Sequence, residues 1–382
     1  MKKEEIEKLA IWLENGAKLN STEETENLED KWSNWSGRKH SVFVNSLSSA
    51  NFLMLNAISK LEILKNKKVV VSSLSHPSSM SSVIELGFEP LICDCNLSSL
   101  SIDVSQLESI FQYHKPSVLI LTSVLGFSPD IDKIVELCEK HGVEILEDNT
   151  QSVGTEFNGK MLGETGLMSA HAISPDTLNV SGGAFVCTDN ERVYNFLKTL
   201  RDGGSIENMG EVNRDDINRK WGVSDFDSPS VRHESSSTFA ATEIQAFIDL
   251  QKMLKLDGDI EKRNENFYHF LDTIKSYDRK KRIWTPTENK NSYSSPFRYP
   301  MIFQNKKDRE SAVKALAEAK IEVGPLTYRS IGTQPFFIKK YGRHETMNAT
   351  TVDDCGIYVP NHPSMEKEDI EFICKTVIDS LK

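Results

Sequence analysis

The chain has 382 residues, 38% of them hydrophobic and 26% charged, with a formal net charge of −11. That length accommodates a large core domain and a smaller one, and the balance is that of a folded rather than a disordered chain. The negative sum, with no dominating Lys/Arg cluster, excludes a nucleic-acid groove, and no stretch reaches the ~20 apolar residues that span a bilayer.

The opening MKKEEIEKLAIWLENG is acidic and helical in period, unlike a signal peptide, so a cytoplasmic location is expected. Six cysteines (Cys93, Cys95, Cys138, Cys187, Cys355 and Cys374) are scattered along the chain. Cys93 and Cys95 are too close for an ordinary bridge and lack the second ligand pair that zinc needs, so they read as alternate residues of a strand. No metal site is expected.

From 39 to 184 strand and helix patterns alternate. KHSVFVNS reads as a strand and SSANFLMLNAISKL as an amphipathic helix starting at its serines; VVVSSL is the next strand and SSMSSVIELG a helix closed by Gly87. EPLICDCN, PSVLILTSVLG and VEILEDN read as further strands, separated by the helices VSQLESIFQYH and DIDKIVELCEKHG. Such repeats imply a mostly parallel sheet covered on both faces, with ligands at the carboxyl ends of its strands. That rule points to residues 46–49, His76 and Asp148. Residues 200–238 are polar and poor in periodicity, the mark of a functional or subunit-contacting loop or of partial disorder. Helical patterns resume in TEIQAFIDLQKMLKLDG and ENFYHFLDTI; FRYPMIF is a strand, and RESAVKALAEAKIEVG and EKEDIEFICKTVIDSL are helices. A large domain over 1–250 and a small α/β domain over 251–382 are expected, hinged near Leu254.

The run EDNTQSVGTEFNGKMLGETGLM, followed by SGGAFVCTDN, resembles the signature of the DegT/DnrJ/StrS family of pyridoxal-phosphate sugar aminotransferases. The matching residues are Asp148, Gln151, Gly159, Lys160, Gly163, Gly166, Gly182, Gly183, Thr188 and Asp189. NSLSSANFLML resembles the family's phosphate-binding turn, RDGG its Arg-x-His-Gly turn, and TEIQAFIDLQKM the helix in which Glu243 and Gln245 recur. IEVGPLTYRSIGTQPFF and GIYVPNHPSMEKEDI resemble its small-domain segments. The resemblance implies an α/β fold of fold type I, with a mostly parallel central sheet and a smaller C-terminal α/β domain. It also implies a homodimer with a nucleotide-sugar substrate, working in polysaccharide or lipopolysaccharide biosynthesis.

Carried over residue by residue, the resemblance gives Asp148 the pyridine nitrogen, which the carboxylate keeps protonated so that the ring is an electron sink. It gives Gln151 the ring hydroxyl, Ser48 and Ser49 the phosphate at a helix start, and His76 the ring that stacks on the pyridine. As bare sequence the same residues read as a turn-capping Asp, a surface Gln, helix N-caps and a loop histidine.

The pattern breaks at the family's Schiff-base lysine. The loop reads SAHAISPDTLNVSGG, with no lysine between Lys160 and Lys198. Aligned on Pro175, Thr177 takes the lysine's place; aligned on Gly182, Asp176 does, and neither can form a Schiff base. The sugar 3-dehydratases of the family put histidine there and use pyridoxamine phosphate noncovalently, and EDN and GLM lean toward that branch. Here the nearest histidine is His171, on the strand before the loop; a strand neighbour of Ala172 points away if Ala172 faces the site. Asp176, Thr177 and His171 are thus the catalytic candidates beside Asp148. Ala172 replaces a serine used on the phosphate, Leu47 a glycine that lets backbone approach it, and Thr238 an Asn donated across the dimer. Two readings stay open. One is an enzyme using noncovalent pyridoxamine or pyridoxal phosphate on a nucleotide-linked keto sugar, by dehydration rather than transamination. The other is a non-catalytic or cofactor-free member that binds a nucleotide sugar or a partner.

Overall fold

A computed structural model of the protein describes residues 3–173 and 182–381. Two helices, α1 (Lys3–Glu14) and α2 (Glu23–Ser36), precede four strand–helix repeats and a fifth strand. These run β1 (His40–Val44), α3 (Leu47–Lys60), β2 (Lys68–Ser72), α4 (Pro77–Glu85), β3 (Glu89–Cys93), α5 (Val104–His114), β4 (Val118–Thr122), α6 (Ile131–His141) and β5 (Glu144–Asp148). A short hairpin, β6 (Glu156–Phe157) and β7 (Lys160–Met161), leads to β8 (Met168–His171) and β9 (Ala184–Thr188). Helices α7 (Glu191–Arg201), α8 (Glu211–Trp221), α9 (Glu243–Met253) and α10 (Leu256–Tyr277) follow. The chain ends with β10 (Ile283–Trp284), β11 (Ser292–Tyr293), β12 (Arg298–Phe303), α11 (Lys306–Glu318), β13 (Gly324–Pro325), α12 (Pro335–Tyr341), α13 (Met347–Cys355), β14 (Gly356–Pro360) and α14 (Lys367–Ser380).

The main sheet has seven strands in the order β1-β9-β8-β5-β4-β2-β3. Every neighbouring pair is parallel except those of β9, which runs against both β1 and β8. The sheet is therefore mostly parallel, as the repeats imply. Every residue of β4 is buried, the signature of a strand covered on both faces.

Strand alternation divides the side chains between those faces. On the first, Val42, Val44, Val71, Leu146, Ala170 and Val186 pack with Leu53 and Met54 of α3, Met80 of α4 and Leu197 of α7. On the second, Phe43 and Phe185 pack with Leu28 and Trp32 of α2, and Leu119 and Ile145 with Phe111 of α5 and Ile134 of α6.

The second sheet, β10-β12-β14-β13, is antiparallel throughout. Its core includes Phe267 and Phe270 of α10 and also Leu74, Cys95, Val124 and Phe127, from loops at the carboxyl ends of the first sheet. Polar pins reinforce that shared core. Asp94 accepts hydrogen bonds from the backbone of Asn348 (2.8 Å) and Ala349 (3.0 Å) at the start of α13, and Ile331 N donates to Ser73 O at 2.9 Å.

The polar segment 200–238 contains an α-helix and a 3-10 turn (Ser228–Ser230) that periodicity does not reveal. Helix α8 carries mostly charged side chains and so has no apolar stripe to detect; Gly222, at φ +66°, ends it in the left-handed conformation that glycine tolerates. Among the described residues no helix is long and apolar enough to cross a membrane.

Candidate active site

The turns at the carboxyl ends of β1, β2 and β5 bring most of the expected residues to the first face of the sheet. Helix α3 starts there because Ser46, extended at its N-cap, accepts the Ser49 amide at 3.1 Å. The Ser49 hydroxyl donates to Asn45 Oδ1 at 2.6 Å, while Ser48, at the second helical position, is exposed. Ser49 is thus engaged in holding the turn, and Ser48 is the hydroxyl open to a ligand. The first amides of a 14-residue helix also lack intrahelical acceptors, a standing site for an anion.

His76 ends the turn after β2 and caps α4. Its Nδ1 accepts the Ser78 amide at 3.1 Å, which leaves the ring proton on Nε2 in the neutral form. Burial pushes its pKa down, opposed by the nearby charge of Asp148, so the neutral form prevails at neutral pH. Tyr328, reaching over from beside β13, meets the ring edge-on with centroids 4.4 Å apart.

Asp148 closes β5 and is 1% exposed. Its Oδ2 accepts from Asn51 Nδ2 at 3.0 Å and Ser79 Oγ at 2.9 Å. Its Oδ1 accepts from the Thr150 hydroxyl at 2.6 Å and the Thr150 amide at 3.3 Å. Among the described residues no lysine or arginine is a partner. Gln151, also buried, accepts the Leu125 amide on Oε1 at 3.3 Å, and its amide nitrogen donates to no described residue. That nitrogen is a donor with capacity for a ligand.

A pyridine phosphate fits these residues in three respects: a buried carboxylate for a ring nitrogen, an amide donor for a ring hydroxyl, and a helix start with an exposed hydroxyl for a phosphate. It fits less well at Leu47, where a side chain stands at the first position of α3 in place of a glycine.

His171 does not join this group. Strand β8 places it on the second face, opposite Ala170, which pairs with Asp148. Its ring lies 5.7 Å from that of Trp32, and its Nε2 is 2.9 Å from Ser169 Oγ. Burial, helped by the positive charge of Arg38, pushes its pKa down to about 3. It is a neutral core histidine, and the structure separates it from the face that carries Asp148. Asp176 and Thr177 lie outside the described residues. Lys160, the lysine before the loop, is largely exposed on β7, with Nζ 3.9 Å from Glu164.

Sequence reasoning left out Glu147 and Asn51, and gave no role to the Gly163, Gly166, Glu243 and Gln245 that it named. Glu147 points to the second face, where its carboxylate accepts the amides of Gly163 (2.8 Å), Thr165 (2.8 Å) and Gly166 (2.7 Å). The Gly-Lys-x-x-Gly-x-x-Gly run is therefore a loop folded around a carboxylate. Gly163, at φ +110°, is required there because an added Cβ would sit 2.4 Å from His171 Nε2. Gln245 donates to the carbonyls of Asn45 (3.2 Å) and Gly182 (3.4 Å), tying the α3 turn to the backbone just before β9. Glu243 accepts the Glu24 and Thr25 amides and caps α2. Asn51 shows one signal in the sequence, a polar residue, like Asn56, in a mostly apolar helical run.

Known proteins are similar to this chain in sequence and in fold. The chain is 26% identical over 359 residues to the GDP-4-keto-6-deoxy-D-mannose 3-dehydratase of Yersinia pseudotuberculosis, covering 91% of this chain and 89% of that one. It is 25% identical over 388 residues to the spore coat polysaccharide biosynthesis protein SpsC of Bacillus subtilis, covering 100% and 95%. The solved structure of the E. coli GDP-4-keto-6-deoxy-D-mannose-3-dehydratase with bound hydrated PLP superposes with a TM-score of 0.88 at 23% identity, covering 99% of this chain and 97% of that one. This likeness establishes that the two chains share a fold. The family model described as the DegT/DnrJ/EryC1/StrS aminotransferase family matches residues 1–378, and the chain belongs to that family.

Proposed function

We propose that the protein binds pyridoxamine or pyridoxal phosphate without a covalent lysine bond and uses it on a nucleotide-linked keto sugar. The reaction class is dehydration rather than transamination, in polysaccharide or lipopolysaccharide biosynthesis. The observation that carries this reading is the Asp148 carboxylate, buried at a strand end beside a helix start and Gln151. The absence of any lysine between Lys160 and Lys198 turns it from transamination, and the 3-dehydratase among the relatives supports the direction.

When bound, the pyridine ring supplies an electron sink for charge developing at the reacting carbon. Asp148 holds a proton on the ring nitrogen. Gln151 donates its amide to the ring hydroxyl, and Ser48 with the start of α3 holds the phosphate. The imidazole of His76, fixed by its cap on α4, would stack on the ring. Asp176 is the candidate to move the proton, since a carboxylate can accept one where the hydroxyl of Thr177 cannot at neutral pH. We also propose a homodimer to which the segment 200–238 contributes, and a domain division near residue 250.

A second reading, a non-catalytic or cofactor-free member that binds a nucleotide sugar or a partner, is favoured by one observation. Protein donors already fill both oxygens of Asp148. Borohydride reduction in the presence of pyridoxal phosphate separates the readings when paired with absorbance and intact mass. The proposal expects stoichiometric, dialysable cofactor and no reduced lysine adduct. A protein that takes up no cofactor supports the second reading, and a single labelled lysine overturns the noncovalent mode.

A further inference from the structure

We infer that Tyr328, carried by the strap that follows β13, is a positioning residue for His76: it meets the imidazole edge-on and fixes the ring plane that a bound pyridine would face. The inference rests on the cofactor reading above and deepens it.

The hydrogen bonds of His76 all act at one atom. Its Nδ1 accepts the Ser78 amide at 3.1 Å and lies 2.7 Å from the Ser78 hydroxyl. The torsion that sets the plane of an imidazole has a broad minimum, and a hydrogen bond tolerates about 30° of tilt. The cap on α4 therefore places the ring but sets its plane only loosely. Tyr328 supplies the second restraint. The two ring centroids are 4.4 Å apart with the planes at 80°, the edge-to-face arrangement that aromatic pairs prefer. An imidazole turned out of this plane loses that contact.

Tyr328 is itself anchored by the residues that follow it. Ser330 and Ile331 are fully buried. Ser330 N donates to Asp353 Oδ2 at 2.8 Å, and Ile331 N donates to Ser73 O at 2.9 Å. Ser73 and His76 belong to the same turn after β2, so strap and turn meet twice, once through backbone and once through rings. Between Tyr328 and Ser330, Arg329 takes φ +67°, a left-handed conformation that residues with a Cβ rarely adopt and that persists where the surroundings impose it. Such local strain is found where a neighbouring side chain has to be aimed, and the side chain beside it is Tyr328.

The test uses the full chain and two readouts. The first is the order parameter of the His76 imidazole in the unloaded protein, from relaxation of 13C-labelled histidine, with the signal assigned by its loss in His76→Ala. It is expected to fall from the rigid range, ~0.85, to ~0.6 in Tyr328→Ala and to stay in that range in Tyr328→Phe, which keeps the ring. The buried His171 serves as the reference that does not change. An unchanged order parameter in Tyr328→Ala, or an equal fall at His171, overturns the inference. The second readout is a double-mutant cycle on pyridoxamine phosphate affinity. Tyr328→Ala is expected to weaken binding by roughly 2- to 10-fold when His76 is present and by no more than measurement error in His76→Ala. Equal losses in both backgrounds overturn the inference, since Tyr328 then acts without His76. Should Tyr328→Ala fail to fold, Tyr328→Leu carries both tests by the same criteria. Should the wild type bind no pyridoxamine phosphate, the functional proposal fails separately, and the order parameter alone decides the positioning.

Discussion

Glu147 and Asp148 are adjacent carboxylates, each 1% exposed, at the end of one strand, yet they face opposite sides of the sheet and differ in what surrounds them. Glu147 meets three backbone amides of a glycine-rich loop, groups that cannot move without unfolding the loop. Asp148 meets mainly side-chain donors, Asn51, Ser79 and the Thr150 hydroxyl, which can turn to admit a ligand. His171 lies with Glu147 on the face of α2 and is part of the scaffold, whereas His76 lies near Asp148 and caps α4. The difference teaches that burial of a charge alone does not mark chemistry. The Glu147 carboxylate folds a loop around itself, and that of Asp148 joins two helix starts to a strand end.

Breaking the scaffold face should cost stability and leave ligand chemistry to whatever folded protein remains. Glu147→Gln replaces one acceptor oxygen with a donor that opposes the loop amides, and it should destabilise the protein by ~3 kcal/mol, read from the denaturant midpoint. A midpoint unchanged from the wild type would show that the loop does not depend on this carboxylate. Gly163→Ala attacks the same loop from the other side. It combines a left-handed backbone with a Cβ placed 2.4 Å from His171 Nε2, and it should cost about 1–3 kcal/mol in the same measurement.

The smallest effect appears only with pH. The pKa of folded His171 is held near 3 against an ordinary 6.5. The unfolded chain therefore takes up a proton below about pH 6.5 that the native protein refuses. The contribution is intact above that value and is lost as pH falls toward 3, at a slope of up to ~1.4 kcal/mol per pH unit. His171→Gln should flatten the acid limb of the stability curve between those values relative to wild type. Identical slopes would place a charged, solvated histidine there instead.

Much of the fold is written in local pattern. The parallel sheet is readable because β1, β2, β4 and β5 are short apolar runs bounded by serines, glycines and helix starts. The reversal of β9 is not, because it depends on which neighbours a strand finds rather than on its own residues. In the site, Ser48, His76, Asp148 and Gln151 are legible through a motif, and the structure sets them just after the carboxyl ends of β1, β2 and β5. Asn51, Ser79 and Glu147 escape because their roles come from long-range contacts: Asn51 and Asp148 stand 97 positions apart. The strand parity that sends His171 away is visible in the sequence once Ala170 is known to share a face with Asp148. Helix α8 is hidden because a helix without an apolar face leaves no periodic trace.

The central claim is that Asp148 faces the ring nitrogen of a noncovalently held pyridine cofactor, and Asp148→Asn tests it most directly. The substitution keeps the shape and removes the charge-assisted bond. Pyridoxamine phosphate affinity and melting temperature should be measured side by side for both forms. The account predicts affinity lower by roughly 10- to 100-fold, loss of the protonated-ring absorbance, and a melting temperature within a few degrees of the wild type. Equal affinity and an unchanged spectrum, in a protein that binds the cofactor, would contradict the placement of Asp148 against the ring nitrogen.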